Sequence, residues 1–330
     1  MPVWVRRYVL LVLPAMSILG LWLDAPGPVF RELYFVGLML TLTFVTRSTS
    51  WRTALYALSL GIGVAAPAVI ILGWLFARAG VDVSESAFGS WGIVPILEEC
   101  VKVAVVVTLA WLYRLGTKVS LNPSDWLLVG CAVGAGFAMV ENAALVRDSP
   151  SVLRDMRLQY GPSWIVPGAW GVVGYVGHAA ATGLAAAGIG VGQSFARVAK
   201  ARGASPAVAR AISVAPLAWV TVEHVLANLH VNTGSDWTFI LSNGRVTPWL
   251  FVAALVFVLS RDYALGQRAL AHSAKFQRRR AVLREALIGG RMPRRTPLWR
   301  RALVAASEFR LLNAAAWVSL ERLTPGGAGQ

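Results

Sequence analysis

Hydropathy divides the chain into apolar runs separated by short polar connections, and each run approaches the ~20 residues that a bilayer core requires of a helix. About eight spans are predicted, at roughly 8–23, 30–46, 54–77, 91–113, 126–146, 168–192, 211–230 and 248–263. The expected fold is all-α: a polytopic transmembrane helix bundle over residues 1–263, followed by a basic cytoplasmic tail over 264–330, helical in part. Gly and Pro within the spans, among them Gly61, Gly63, Pro67, Gly130, Gly134, Gly183 and Gly188, let helix backbones approach closely and suit a tight bundle.

Composition agrees with a membrane location. Hydrophobic residues make up 56% of the 330 positions and charged residues only 14%, more apolar surface than one soluble core can hide. The formal charge of +15 sits largely in the tail and the short loops, where it sets topology, so no nucleic-acid partner is expected. Arg6, Arg7, Arg47, Arg52, Arg114, Lys118, Arg197, Lys200, Arg202, Arg210 and the tail fall on one side, which places both termini in the cytoplasm. The loop holding Arg147, Arg154 and Arg157 is the external exception, partly offset by Asp148 and Asp155. Residues 1–23 are expected to be an uncleaved signal anchor, since Asp24 to Pro28 offers no small-x-small cleavage site. Basic and apolar residues alternate at near-helical spacing in the tail, around Arg278 to Arg280 and from Pro297 to Leu323, as on a helix lying against anionic lipid or in a small helical domain. Cys100 and Cys131 both lie in apolar segments with no C-x-x-C pattern, which argues against redox chemistry.

Against this background the ionisable residues inside spans are the informative ones, because an intramembrane charge is costly and marks a site by default. The fourth span carries Glu98, Glu99 and Lys102, with Lys102 at i,i+4 and i,i+3 from the two acids. The fifth carries Phe137, Glu141 and Asn142, the sixth His178 and Thr182, the seventh Glu223, His224 and Asn228. Counted inward from the outer boundary at ~1.5 Å per residue, Glu98 lies roughly 10 Å deep, Glu141 about 7 Å, His178 about 15 Å and His224 about 9 Å. Antiparallel helices that place polar groups at one depth imply a single wet cavity in the outer half of the membrane.

Carboxylates and imidazoles in such a cavity suit activation of water. A partly desolvated carboxylate is a stronger base than one in water, and a protonated neighbour can donate to a leaving nitrogen. Glu98 and Glu99 point about 100° apart on a helix, so they meet different surroundings, and Lys102 orients the one that does not face the cavity. An imidazole and the Asn228 amide, one turn from His224, could donate to a developing oxyanion. Glu141, His178 and His224 also offer the N/O donor set that catalytic zinc uses; no H-E-x-x-H accompanies them, and a metal-free reaction is preferred. Glu223 points elsewhere on its helix and is expected to support its neighbours.

Glu98-Glu99-x-x-Lys102, the Gly-Ala-Gly-Phe-Ala-x-x-Glu-Asn string from Gly134 to Asn142, His178-x-x-x-Thr182-Gly183 and His224-x-x-x-Asn228 together resemble the PrsW family of bacterial intramembrane proteases, over about residues 90 to 230. The related CAAX-prenyl-protease group has histidine where Glu141 stands, so the departure favours PrsW over prenyl-protein processing. The resemblance implies a multi-pass protein of the bacterial cell membrane, with Glu98 as general base, His224 and Asn228 as oxyanion donors and His178 as an added site group. It also implies a membrane-anchored protein substrate, with release of an anti-sigma factor as the family's signalling role. Some descriptions of the family call it a metalloprotease. Two rival readings are a transporter or channel using Glu98, Glu141 and His178 for protons or a cation, and a non-catalytic scaffold that binds a peptide or lipid.

Overall fold

The computed structural model describes residues 26–81, 89–117, 120–148, 175–201 and 205–272, with a short stretch near 16–23 and isolated tail positions. The first half of the expected first span, the loop with Arg154 and Arg157, and most of the tail lie outside the described residues. Among the described residues the chain is all-α, with no strand. Seven helices follow in order: α1 Pro26–Leu42, α2 Trp51–Arg78, α3 Val94–Thr117, α4 Pro123–Asp148, α5 His178–Ala201, α6 Ala207–Thr233 and α7 Thr247–His272. A π-helical turn, Gly61–Ala65, lies inside α2, and another, Gly89–Ile93, leads into α3. Such turns insert a residue into the helical ladder and rotate the side chains beyond it.

Among the described residues, four helices are long and apolar enough to cross a membrane: Trp51–Arg78, Pro123–Leu145, Ala207–Thr233 and Thr247–Leu265. That is fewer than the eight or so spans expected from hydropathy. α1 has only 17 residues, and α3 carries Glu98, Glu99, Lys102 and Arg114. α5 is diluted by Gly and Ala and turns its side chains into the bundle rather than toward lipid. The sixth run also departs from its expected bounds. Its helix starts at His178, because the strap Tyr175-Val176-Gly177 is non-helical and Gly177 has φ of 88°, a left-handed conformation that glycine adopts without steric cost.

α4 is the axis of the bundle, with side chains buried on every face from Ser124 to Met139. It packs against α5, α2, α1, α3 and α7. A side chain at Gly134 would overlap the carbonyl of His178, so glycine there is what lets the start of α5 lie directly on α4.

The far end of α4 is tied by polar contacts. Pro123 opens the helix, where its missing N–H costs nothing, and Asn122 caps it: the Asp125 N–H donates to Asn122 Oδ1 at 2.7 Å, and the Asn122 N–H to Asp125 Oδ2 at 3.4 Å. Asp125 also accepts from the Ser48 and Thr49 N–H groups, both at 3.0 Å, and from both their hydroxyls. Asn122 Nδ2 donates to the Thr46 carbonyl at 2.8 Å, while Asp262 of α7 accepts from the Ser124 N–H at 2.9 Å and from its hydroxyl. The corner between α1 and α2 and the far half of α7 are thereby locked in register with α4, which sets the level of every group nearer its other end.

Candidate active site

Glu98, Glu99 and Lys102 of α3 converge with the start of α5 and the middle of α6, and all three are buried. The adjacent acids each leave Oε2 without a partner among the described residues, and differ in what holds the rest of the carboxylate. Glu99 Oε1 is a hub: it accepts from Lys102 Nζ at 2.7 Å, from the Tyr175 hydroxyl at 2.8 Å and from His224 Nδ1 at 3.0 Å. Glu98 lies on a different face of the helix, and its Oε2 has no hydrogen-bond partner among the described residues. His224 Nε2 stands 3.7 Å from it.

These bonds assign the protons. A carboxylate paired with an ammonium can only accept, so His224 Nδ1 carries the hydrogen that it gives to Glu99, and its Nε2 is a bare lone pair facing Glu98. His178 is wired the other way. Lys102 Nζ stands 2.6 Å from His178 Nδ1; the ammonium can only donate, so Nδ1 accepts and Nε2 carries the hydrogen, donated to Glu141 Oε2 at 2.6 Å. Glu141 is the most accessible member of the group, its side chain 34% accessible.

Aromatic rings set the positions of the imidazoles. Tyr175 stacks on His224, with ring centroids 4.3 Å apart and planes 17° from parallel, and meets His178 edge-on at 5.2 Å. Phe137 of α4 lies 5.0 Å from the His178 ring and 4.8 Å from the Lys102 ammonium, which sits over its face. The strap that carries Tyr175 is held by Glu223, which accepts from the Val176 N–H and from the Thr247 hydroxyl at the start of α7; Trp219 Nε1 donates to that hydroxyl at 2.8 Å.

The structure therefore gathers Glu98, Glu99, Lys102, Phe137, Glu141, His178 and His224 in one cluster. Asn228 stands one turn beyond His224, and its Nδ2 donates to the Ser90 carbonyl in the π-helical turn at 3.4 Å, a long bond. Asn142 Nδ2 and Thr182 Oγ1 are buried without partners among the described residues and make no bond to the cluster. Tyr175 was not foreseen from the sequence. Its signal, an aromatic three residues before an intramembrane histidine, is weak among so many aromatic residues in a membrane chain.

An all-α bundle with membrane-length apolar helices that buries two acids, a lysine and two histidines together is a membrane protein with an intramembrane functional site. A family model described as PrsW family intramembrane metalloprotease matches residues 49–259, more than half of the chain, and the chain belongs to that family: it is an intramembrane protease of the membrane. No curated protein and no solved structure matches it.

The family description implies a metal, so the donors matter. Glu98, His178 and His224 each bring a ligand-type atom within 4.8 Å of the others. This grouping has Glu98 where the sequence suggested Glu141, whose Oε2 is spent on His178. Proximity suits an ion, but the bonding does not: with Nδ1 accepting from Lys102 and Nε2–H given to Glu141, His178 has no free lone pair. So bonded, the residues present offer two ligands, Glu98 and His224, where catalytic zinc uses three. They do not fit a three-ligand ion.

Proposed function

We propose that this protease cleaves a peptide bond of a membrane-anchored protein near the extracytoplasmic side, using a water activated by Glu98 without a metal. The observation that carries the reading is the facing pair of acceptors, Glu98 Oε2 and His224 Nε2, 3.7 Å apart. Two acceptors so placed suit a molecule with two protons to give. A water donating one to each presents its lone pair to a substrate carbonyl. Glu98 takes a proton as the oxygen attacks the carbonyl carbon, and passes it to the leaving nitrogen as the C–N bond breaks.

The other groups follow from their bonds. Glu99, compensated by Lys102, holds His224 in the tautomer whose Nε2 accepts, so His224 orients the water instead of serving as the oxyanion donor expected from the sequence. The N–H of His178, beside the partly accessible Glu141, and the loosely held Asn228 amide are then the donors available to the oxyanion. Loop charge supports a topology with both termini in the cytoplasm and the site in the outer half of the bacterial inner membrane. A single-span protein such as an anti-sigma factor fits that placement, and the basic tail fits anionic lipid.

The test is cleavage of a library of single-span peptides by the purified protein in liposomes. Cleavage by the parent and its loss in Glu98→Gln is the expected result. Proton or cation flux into the same liposomes without cleavage would overturn it in favour of a transporter.

A further inference from the structure

The reaction proposed above leaves one acid beside the cluster without a task. The inward stripe of α6 is Val220, Glu223, His224 and Ala227, and Glu223 is 1% exposed within it. It accepts from the hydroxyl of Thr247, the first residue of α7, and from the N–H of Val176 in the strap. Three separate pieces of chain, α6, α7 and the strap, meet at this one carboxyl.

The donors fix the direction of each bond. The Trp219 indole can only donate, so the Thr247 oxygen accepts from it at 2.8 Å and the single hydroxyl proton is left for Glu223. Trp219 and Glu223 are four residues apart on α6 and share a face, so the two side chains grip Thr247 from adjacent turns. Thr247 is wholly buried, and its hydroxyl, committed on both sides, holds the carboxyl in one orientation. A buried backbone N–H outside a helix needs an acceptor, and Val176, 2% exposed, finds it in Glu223.

The neighbours of Val176 show what this acceptor positions. Tyr175 sets its hydroxyl 2.8 Å from Glu99 Oε1 and its ring 4.3 Å from the ring of His224. On the other side Gly177 turns the chain and His178 opens α5, its Nδ1 3.3 Å from the same hydroxyl. Tyr175 stands outside the helical ladder of α5, so its place depends on what the strap is tied to.

We propose that Glu223 is a positioning residue of this protease: its carboxyl, oriented by Thr247 and Trp219, pins the strap at Val176 and so holds Tyr175 against Glu99 and His224. It acts through Tyr175 and not on the reacting atoms. The role is that of an acceptor, which an amide oxygen can fill and an apolar side chain cannot. The inference rests on the reading of Glu99 and His224 as the pair that orients the catalytic water.

The test is the kcat and KM of purified variants in liposomes, on a single-span peptide that the parent cleaves. Glu223→Met leaves the Thr247 hydroxyl and the Val176 N–H without an acceptor, so kcat should fall about tenfold while KM changes less than about twofold. Glu223→Gln keeps an acceptor oxygen and should recover most of that loss, to within about threefold of the parent. A general weakening of the fold would not reproduce the coupling to Tyr175. In Tyr175→Leu there is neither hydroxyl nor aromatic ring to place, and adding Glu223→Met should lower kcat by less than about twofold further. Thr247→Val removes the hydroxyl that orients the carboxyl and gives the same comparison if Glu223→Met does not fold. Parental kcat in Glu223→Met, Glu223→Gln as impaired as Glu223→Met, or losses that multiply in full in the double variant would each overturn the proposal. Glu98→Gln measured alongside keeps the two readings apart. If it is inactive while the Glu223 variants match the parent, only the role of Glu223 fails; if Glu98→Gln cleaves at the parental rate, the catalytic reading beneath it fails.

Discussion

Glu99 Oε1 accepts the Nδ1–H of His224 at 3.0 Å, and that one bond separates the tasks of two adjacent glutamates. By fixing the proton on Nδ1 it turns the other ring nitrogen into an acceptor aimed at Glu98. The same oxygen also receives Lys102 and Tyr175, and although Glu99 Oε2 has no partner among the described residues, the ammonium bonded to this carboxylate makes it the poorer base for water. Glu98, one residue earlier and rotated about 100° around α3, is left free to take that proton.

The two acids should therefore fail differently when neutralised. Glu98→Gln keeps the volume and breaks no hydrogen bond or ion pair of Glu98 Oε2, so the protein should fold with Tm near the parent while kcat falls by at least ~10²-fold. Glu99→Gln strands the Lys102 ammonium in a buried site, and losing one partner of a buried pair costs about 3–5 kcal/mol. Its Tm and its activity should fall together. Measuring kcat and Tm on both purified variants decides the assignment, and a stable, inactive Glu99→Gln beside an active Glu98→Gln would reverse it.

Tyr175 should matter through its hydroxyl more than its ring. Tyr175→Phe keeps the stack on His224 and loses the bond to Glu99, the kind of bond to a charged group that contributes about 1.5–3 kcal/mol. We expect a kcat roughly tenfold lower with KM little changed, since the ring still holds the imidazole in place. Tyr175→Leu removes both contacts and should be worse. Equal activities in Tyr175→Phe and the parent would show that Glu99 needs only Lys102 and His224.

Much of this site was legible in the sequence, for a physical reason. Ionisable residues in apolar runs have a low background, so Glu98, Glu99, Lys102, Glu141, His178 and His224 stood out. The division of labour between Glu98 and Glu99 was not legible, because it depends on how α3 is rotated against α5 and α6. Nor was the late start of α5: hydropathy registers apolar character and does not register the left-handed Gly177 that ends the strap. Tyr175 was hidden among aromatic residues that usually anchor or pack.

The topology can be checked independently of catalysis. Reporter fusions after Lys118 and Arg202 should report the cytoplasm, and fusions after Asp155 and Asp236 the exterior, as the excess of Lys and Arg on one set of loops requires. A tail found outside would move the site to the inner half of the membrane and, with it, the cleavage point in the substrate.

The last prediction concerns metal dependence, and it turns on Lys102. For His178 to ligate an ion, one of its nitrogens must offer a lone pair, and here one is taken by the Lys102 ammonium while the other carries a hydrogen toward Glu141. Ligation would require Lys102 to give up Nδ1 or Glu141 to give up the N–H, and the remaining pair, Glu98 and His224, is one ligand short of a catalytic zinc site. We therefore expect chelators to leave cleavage intact, and metal analysis of the active protein to find no stoichiometric zinc. His178→Ala and His224→Ala should each slow kcat by something like ~10²-fold, the scale of a lost oxyanion donor or water contact, with no change in metal content. One tightly held ion per active molecule, lost in both histidine variants and restored together with activity on adding zinc, would refute the metal-free reaction.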